Sequence, residues 1–320
     1  MSAAPVVVLA GGTGGAKLAR GMQDEVGADL VVVANTGDDV EMYGGHVSPD
    51  PDLVTFWLAD RIDARGWGLR DDTFHVMDGL RELGVDVWFN LGDRDLALCL
   101  RRARRLAEGA SLTEAIDEAR RAYGVAARVL PMSNDPVRTH VRADGRWWPF
   151  QDFMIRRGAA AGGPSAPAAE ETATDGIQDV ELRGAEKARA APAVLDAIER
   201  ARALVIGPSN PVISIGPILA VPGVREALLA TRAPVVAVSP LVRGNVLKGP
   251  TAAFMAFAGH PLASDGIVAA YDGLLDGLVA DERACGLPTL ETDVEMGDAG
   301  ARRRLARETL AFAEGLSNPR

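Results

Sequence analysis

The feature that most restricts the fold of this sequence is a glycine-rich turn between an apolar strand and a helix. Residues 6–10 are VVVLA, a continuous apolar run that is typical of a strand buried on both faces. The segment Gly11-Gly12-Thr13-Gly14-Gly15 follows directly, residues 16–22 have helical apolar spacing, and residues 30–34 are a second apolar run. This β-α-β order predicts a parallel sheet with a right-handed crossover.

The rest of the chain repeats this α/β texture, with one interruption. We predict an α/β fold with a doubly wound, Rossmann-like, mostly parallel sheet, formed by residues 1–130 and 200–320. Residues 131–199 are predicted to be an irregular α+β insertion, with a hairpin at 137–155 around Asp144-Gly145 and a mobile loop at 158–178. Further strands are predicted at 87–91, 203–207 and 234–238, and helices at 51–64, 73–84, 95–108, 112–123 and 299–315.

Composition excludes several classes of protein. The formal net charge is −10 over 320 residues, which argues against broad nucleic-acid or membrane binding. No apolar run reaches the ~18 residues of a membrane span, and the N-terminus lacks the basic start of a secretion signal. The two cysteines, Cys99 and Cys285, form no CxxC pair. We therefore predict a cytoplasmic protein without disulfides or structural zinc.

The glycine segment predicts an anion site. Glycines let a ligand approach the backbone, and the N-terminus of the next helix offers N–H groups and a positive dipole end to a phosphate, with Lys17 adding a charge. Leu18 after Lys17 departs from a Walker loop, and Lys17 stands where a dinucleotide fingerprint has its third glycine. The predicted phosphate-binding residues of the segment are Gly11, Gly12, Thr13, Gly14, Gly15 and Lys17; the alternative is a tight turn without a ligand.

Acidic residues cluster beyond the second predicted strand. Asp38 and Asp39 follow it, and Asp50 and Asp52 come shortly after, at the sheet edge where open α/β sheets bind ligands. Carboxylates without histidine partners suit Mg²⁺, which proteins bind with one or two carboxylates plus substrate phosphates. We predict that Asp38 and Asp50 hold the metal; the alternative is that they cap helices or form turns.

Two further polar turns follow predicted strands. Residues 91–95, LGDRD, follow the predicted strand at 87–91 and are a candidate second wall of the cleft; the alternative is that they simply cap the helix that begins at residue 95. Residues 207–211, GPSNP, follow the strand at 203–207, and their Ser209 and Asn210 are candidate contacts for a base or a phosphate.

Together these segments resemble the 2-phospho-L-lactate transferase family, whose actinobacterial members are phosphoenolpyruvyl transferases. No single segment is diagnostic, but seven in a fixed order over about 210 residues are specific. In this sequence they are residues 9–18 (LAGGTGGAKL), 35–39 (NTGDD), 48–52 (SPDPD), 91–95 (LGDRD), 130–135 (LPMSND), 150–153 (FQDF), and 207–211 (GPSNP) with 214–218 (SIGPI).

The resemblance implies a reaction in coenzyme F-420 biosynthesis. A phospho-acid joined to guanosine through a diphosphate is the donor, the deazaflavin alcohol Fo is the acceptor, and GMP leaves, with Mg²⁺ as the metal. It also implies that Asp38, Asp50 and Asp52 are catalytic, and that the deazaflavin contacts Asp52, Asn90, Asp93 and Arg94. Asn90 stands where archaeal members often have lysine. General-base catalysis by Asp52 is a weaker hypothesis than positioning of the acceptor.

Several alternatives remain open at this stage. One is an NAD(P)-dependent Rossmann oxidoreductase, although Asn35 stands where such enzymes have a ribose-binding acid. Another is a guanine-nucleotide-binding module without catalysis. The donor acid, which is phospholactate, phosphoenolpyruvate or phosphoglycerate, cannot be chosen from the sequence. The family resemblance also implies a homodimer and functional coupling to a guanylyltransferase.

Overall fold

A computed structural model describes residues 4–157, 176–247 and 249–316 of the chain. Short strands and helices alternate along most of this length. The strands are β1 (Val6–Ala10), β2 (Leu30–Ala34), β3 (Val40–Met42), β4 (Gly45–Val47), β5 (Arg128–Pro131), β6 (Arg138–Ala143), β7 (Arg146–Pro149), β8 (Asp179–Arg183), β9 (Ala203–Ile206), β10 (Val235–Val238), β11 (Leu241–Val242), β12 (Asn245–Val246), β13 (Gly277–Ala280) and β14 (Thr289–Glu291).

The helices cover both faces of the central sheet. They are α1 (Gly12–Val26), α2 (Pro49–Leu58), α3 (His75–Glu82), α4 (Asp93–Ala107), α5 (Leu112–Ala122), α6 (Phe150–Asp152), α7 (Pro192–Glu199), α8 (Gly216–Ala220), α9 (Val224–Ala230), α10 (Thr251–Phe257), α11 (Ser264–Ala270) and α12 (Ala299–Gly315).

The central sheet has seven strands in the order β14-β13-β10-β9-β1-β2-β5, and every neighbouring pair is parallel. The predicted doubly wound fold is confirmed. The chain moves outward from β1 through β2 to β5, and then returns to place β9 on the other side of β1. This reversal creates a switch point between β1 and β9, where open α/β sheets bind ligands beyond the carboxyl ends of their strands.

The inner strands are buried on both faces, as the apolar runs predicted. In β1, Val7 and Leu9 contribute to one hydrophobic cluster, while Val6 and Val8 contribute to the cluster on the opposite face. Helix α1 packs against α2 and α12 on that second face. A Cβ at Gly21 would overlap the carbonyl oxygen of Arg302, so glycine permits the close approach of α1 and α12.

Several predicted elements have the expected position. Helix α12 coincides with the prediction, α5 begins with the predicted capping box at Ser111, and β6 and β7 form a hairpin whose turn residues, Asp144 and Gly145, have φ of 54° and 72°. The third strand of that small sheet, β8, pairs with β6. Residues 158–175 of the predicted mobile loop lie outside the described residues, and the domain boundaries stay a prediction.

The prediction of a strand at 87–91 is wrong. This stretch is irregular, and β5 pairs with β2 in its place. Val87, Phe89 and Leu91 pack instead on a small satellite cluster around Met77 and Cys99. An apolar run of five residues can pack on such a cluster as well as it can form a strand of a sheet. Its length and composition therefore do not distinguish an irregular segment from a strand.

Helix α2 also ends earlier than predicted, at Leu58 rather than at residue 64. Asp60 adopts a left-handed conformation, with φ of 53°, and the residues that follow form a loop closed by a bridge between Ile62 and Leu69. Within the described residues, no single helix is long and apolar enough to cross a membrane. One bent pair of helical segments, Pro211–Ala220 with Val224–Ala230, meets the same test, by length and composition only.

Candidate active site

The glycine segment lies at the switch point between β1 and β9. Helix α1 begins at Gly12, whose φ is 63°. The first N–H groups of the helix lie at the crevice, and they have no hydrogen-bond partner inside the helix itself. A Cβ at Gly14 would overlap the carbonyl oxygen of Pro208, and one at Gly11 would lie 2.7 Å from Cβ of Ser214. These glycines therefore bring the loop into contact with the turn that follows β9.

That turn is joined to the glycine loop by hydrogen bonds. The Ser209 hydroxyl donates to the carbonyl of Gly11 at 2.5 Å. Oδ1 of Asn210 accepts from the N–H groups of Val212 at 2.9 Å and Ile213 at 3.3 Å. The Nδ2 of Asn210 is buried and has no protein acceptor. Because the two backbone bonds fix the side-chain amide, its unused donor is available to an anionic ligand.

One side chain links the glycine loop to the acidic residues. Asp50, at the start of α2, accepts a hydrogen bond from the Gly12 N–H through Oδ1 at 2.7 Å. Its other oxygen accepts from Nδ2 of Asn35 at 3.0 Å, and the same Nδ2 lies 3.3 Å from Oδ2 of Asp38. Asn35 itself is oriented by the Gly37 N–H, which donates to its Oδ1 at 2.7 Å. Asn35 thus holds the two predicted metal-binding carboxylates next to each other.

The electrostatics of this pair favour a cation. Burial, together with the neighbouring Asp50 and Asp39 carboxylates, raises the pKa of Asp38 well above its usual range. Burial also raises the pKa of Asp50 to about 6, although hydrogen bonds from Gly12 and Asn35 oppose the shift. The Oδ1 of Asp38 is buried and has no partner in good hydrogen-bond geometry, although the Thr139 hydroxyl lies near enough to the carboxyl to oppose the rise in its pKa. Two buried carboxylates with an unsatisfied oxygen fit a hard, oxygen-preferring divalent cation such as Mg²⁺.

Asp39 braces the same region without facing the cleft. Its two oxygens engage the Ser48 hydroxyl at 2.8 Å and Nε2 of His46 at 3.0 Å. Ser48 directly precedes α2, so this contact connects the turn after β2 with the helix that carries Asp50.

Asp52 forms a buried ion pair with Arg102 of α4. Nη1 of Arg102 donates to Oδ2 of Asp52 at 3.0 Å and to the carbonyl of His46 at 2.9 Å, and Nη2 donates to the other Asp52 oxygen. Arg102 is only 2% exposed and Asp52 only 6% exposed. Burial raises the pKa of Asp52, and the Arg102 charge opposes that rise. Asp52 is therefore held from behind the cleft, by a residue that the sequence analysis did not identify.

A cleft of about 420 Å³ lies in front of these groups. Most of the predicted site residues line it, and several residues that were not predicted line it too. The predicted ones are Gly11, Gly12, Thr13, Gly14, Lys17, Asp38, Asp50, Ser209 and Asn210, and those not predicted include Trp67, Gln151, Met154, Ser214 and Ser239. Gly15, Asp52, Asn90, Asp93 and Arg94 are outside this lining.

The LGDRD segment performs a clear structural task. Asp93 accepts hydrogen bonds from the N–H groups of His75 at 3.1 Å and Val76 at 3.0 Å, at the start of α3. Asp72 accepts in turn from the N–H of Arg94 at 3.0 Å, at the start of α4. Asp93, the first residue of α4, thus caps α3, and Asp72, in the loop before α3, caps α4. A role for Asn90, Asp93 and Arg94 in binding the acceptor stays a prediction.

Comparison with solved structures supports the fold. A member of the UPF0052 family from Bacillus halodurans superimposes with a TM-score of 0.58, covering 97% of this chain and 99% of that one at 18% sequence identity. At this identity the likeness extends to the architecture alone.

Comparison with curated sequences is more specific. The chain is 37% identical over 280 residues to the 2-phospho-L-lactate transferase of Methanosarcina mazei, covering 87% of each. It is 39% identical over 321 residues to that of Methanopyrus kandleri, covering 97% of this chain and 98% of the relative. It is 37% identical over 326 residues to the phosphoenolpyruvate transferase of Streptomyces coelicolor, with the same coverage.

The sequence profile of the family described as 2-phospho-L-lactate transferase CofD matches residues 6–306. This match spans both halves of the sheet, so it includes the glycine loop, the acidic residues and the turn after β9. The chain belongs to the 2-phospho-L-lactate transferase CofD family, and it is a transferase.

Proposed function

We propose that the protein transfers a phospho-acyl group from a guanosine diphosphate-linked donor to the deazaflavin Fo, releasing GMP, in coenzyme F-420 biosynthesis. The observation that carries the proposal is the 2.7 Å hydrogen bond between Oδ1 of Asp50 and the Gly12 N–H. It joins an anion-binding helix terminus to a pair of buried carboxylates in one cleft. Phosphoryl transfer needs this combination, since it depends on positioning and on neutralising charge.

Asp38 and Asp50 would hold the Mg²⁺ ion. When bound, the metal would neutralise negative charge on the diphosphate of the donor. The unsatisfied Oδ1 of Asp38 and the raised pKa values of both carboxyls support this assignment. A bound cation would give Oδ1 a partner and would lower the pKa of both carboxyls.

The remaining polar groups of the cleft would bind the diphosphate itself. The N-terminus of α1 offers N–H groups, Lys17 lines the cleft, and the Nδ2 of Asn210 is a buried donor that lacks an acceptor. All three favour an anion. In this proposal Ser209 acts indirectly, because its hydroxyl is engaged by the carbonyl of Gly11.

The Arg102 pair favours a positioning role for Asp52 over general-base catalysis. Both carboxylate oxygens of Asp52 engage the guanidinium, so protonation would weaken a buried pair. We propose that Asp52 helps to orient the attacking hydroxyl of the acceptor through the start of α2. The variant Asp52→Asn should then lose activity but keep the acidic limb of the pH-rate profile, which a general base at this position would produce. Near-normal turnover would exclude the base role and would contradict the positioning role as well.

The decisive experiment supplies the purified protein with Fo, Mg²⁺, GTP, a promiscuous guanylyltransferase and one of three phospho-acids, and follows products by mass spectrometry. A mass gain on Fo of one phospho-acid establishes the reaction and identifies the donor. The relatives carry both the phospholactate and the phosphoenolpyruvate name at similar identity, so both donors are tested beside phosphoglycerate. No gain with any donor, after donor synthesis is verified, contradicts the proposal.

Thermal shift assays distinguish the remaining alternatives. GDP with Mg²⁺ should raise the melting temperature, whereas NAD(P) should not; the opposite result would favour an oxidoreductase. Binding of GDP without any transfer would favour a non-catalytic nucleotide module. Cytoplasmic location, a homodimeric state and coupling to a guanylyltransferase belong to the same proposal, and size-exclusion chromatography with light scattering tests the dimer.

A further inference from the structure

The loop after α2 folds into a compact unit at the cleft. Ile62 and Leu69 form an antiparallel bridge. Inside it, the N–H of Asp63 donates to the carbonyl of Gly68 at 3.1 Å, and the N–H of Gly66 donates to the carbonyl of Asp63 at 2.9 Å. The Asp63 carboxylate accepts from the Arg65 backbone at 2.9 Å and from its Nε at 2.6 Å. These bonds fix the loop before any ligand arrives.

The loop presents Trp67 to the cleft. The residues on either side, Gly66 and Gly68, both adopt left-handed conformations, with φ of 89° and 68°. A Cβ at Gly66 would have no neighbour within 4 Å, so this glycine is needed for its backbone conformation rather than for space. Trp67 lines the cleft and is 43% exposed, so a large part of its indole is open to a ligand.

One face of the indole is already occupied. The guanidinium of Arg65 lies 4.3 Å from the Trp67 ring centroid and 5.5 Å from the ring centroid of Phe74. Phe74 packs in turn on the satellite cluster around Met77. Arg65 therefore contacts two aromatic rings and is held by Asp63. These contacts restrict the orientation of the indole, so a ligand can stack on it without first ordering the side chain.

We propose that Trp67 is a stacking platform for a planar aromatic ring of a substrate bound in the cleft. The inference rests on the proposed function, which supplies two such rings, the deazaflavin of the acceptor and the guanine of the donor. Both have the same relevant chemistry, a flat heteroaromatic face that stacks on an indole. Stacking would hold the ring while the polar groups of the cleft hold the diphosphate, and Trp67 is thereby a binding residue rather than a participant in bond formation.

The test measures binding and turnover separately. Isothermal titration with Fo, and in a second arm with GDP and Mg²⁺, is performed on the wild type, Trp67→Leu, Trp67→Phe and the control Trp147→Leu, which changes a tryptophan of β7 that is absent from the cleft lining. Trp67→Leu should lower the affinity for one of the two ligands by about tenfold, as expected for the loss of one aromatic stacking contact. The affinities of Trp67→Phe should stay within about threefold of those of the wild type, and the control variant should have wild-type affinities.

The two arms identify the ring. Weaker Fo binding with unchanged GDP binding, together with a raised KM for Fo at unchanged kcat, assigns Trp67 to the acceptor. The converse assigns it to the guanine. Unchanged affinity for both ligands in Trp67→Leu overturns the inference, as does an equal loss in Trp67→Phe and Trp67→Leu. Because binding is measured without turnover, failure of the transfer reaction in the wild type would be recognised separately.

Discussion

The two walls of the cleft are built by different physical means. The wall formed by the glycine loop and the turn after β9 uses backbone groups and short polar side chains, such as the Ser209 hydroxyl that bonds the carbonyl of Gly11. The other wall uses buried charges. Asp50 bonds to the N-terminus of α1, and Asp52, which lies behind the lining, pairs with Arg102. Substitutions on the first wall should act mainly through steric overlap, and those on the second through uncompensated charge or lost metal affinity.

The largest effect is expected at Asp38 and Asp50, the two carboxylates proposed to hold the metal. Asp50→Asn keeps the side-chain shape but removes a charge next to Asp38, so turnover should fall by about a thousandfold or more while the metal-free protein keeps or gains stability. Product formation by mass spectrometry and a thermal melt without Mg²⁺ measure the two quantities. Turnover within tenfold of the wild type would show that Asp50 is not a metal ligand.

The buried ion pair should give the largest loss of stability. Arg102→Met leaves Asp52 buried without its partner, which should lower the free energy of unfolding by about 3–5 kcal/mol. Urea denaturation measures this loss. A double-mutant cycle with Asp52→Asn gives the interaction energy between Arg102 and Asp52. If the double variant is as unstable as the sum of both single variants, the pair contributes no coupling energy and the contrast between the walls is weaker than described.

On the glycine wall, Gly14→Ala tests steric closeness. A Cβ there overlaps the Pro208 carbonyl oxygen, so the substitution should cost about 1–3 kcal/mol of stability and weaken GDP binding. The matched control is Gly79→Ala in α3, where a Cβ meets nothing within 4 Å; alanine should there stabilise the helix by up to about 1 kcal/mol. Equal effects of the two substitutions would mean that the loop and the turn after β9 do not pack tightly.

A smaller effect is expected from pH. The folded-state pKa of Asp50 is raised to about 6, and that of Asp38 moves in the same direction. The stability gained from the protonated Asp50 carboxyl is therefore complete below its unfolded pKa, near 4, and is lost as the pH rises through 6, and Asp38 adds a contribution of the same sign. Mg²⁺ competes with the same protons, so its effect on the melting temperature should be absent at pH 5 and reach a few degrees at pH 7.5.

A melting-temperature gain from Mg²⁺ that is equal at both pH values would contradict the assignment of these carboxyls to the metal. Asp50→Asn is the control, because it removes one of the two titrating groups and should reduce the pH dependence.

Local features of the site were predictable from the sequence, whereas its long-range contacts were not. The glycine loop, the acidic turn and the turn after β9 follow strands directly, so strand order alone brings them to one edge. Arg102 and Trp67 carry no local pattern. Arg102 is one of several arginines on α4 and is distinguished only by its partner fifty residues earlier. The prediction of a strand at 87–91 was wrong for the same reason, since tertiary packing determines whether such an apolar run forms a strand.

The switch point between β1 and β9 has a consequence for how the protein matures. Gly11 and Ser209, which hydrogen-bond at the centre of the cleft, are 198 residues apart in the chain. Strands β1 and β2 pair across one short crossover, but the proposed anion-binding cradle closes only when β9 has docked beside β1. During synthesis the glycine loop is therefore translated early and completed late, so the proposed nucleotide site is complete only at the end of folding.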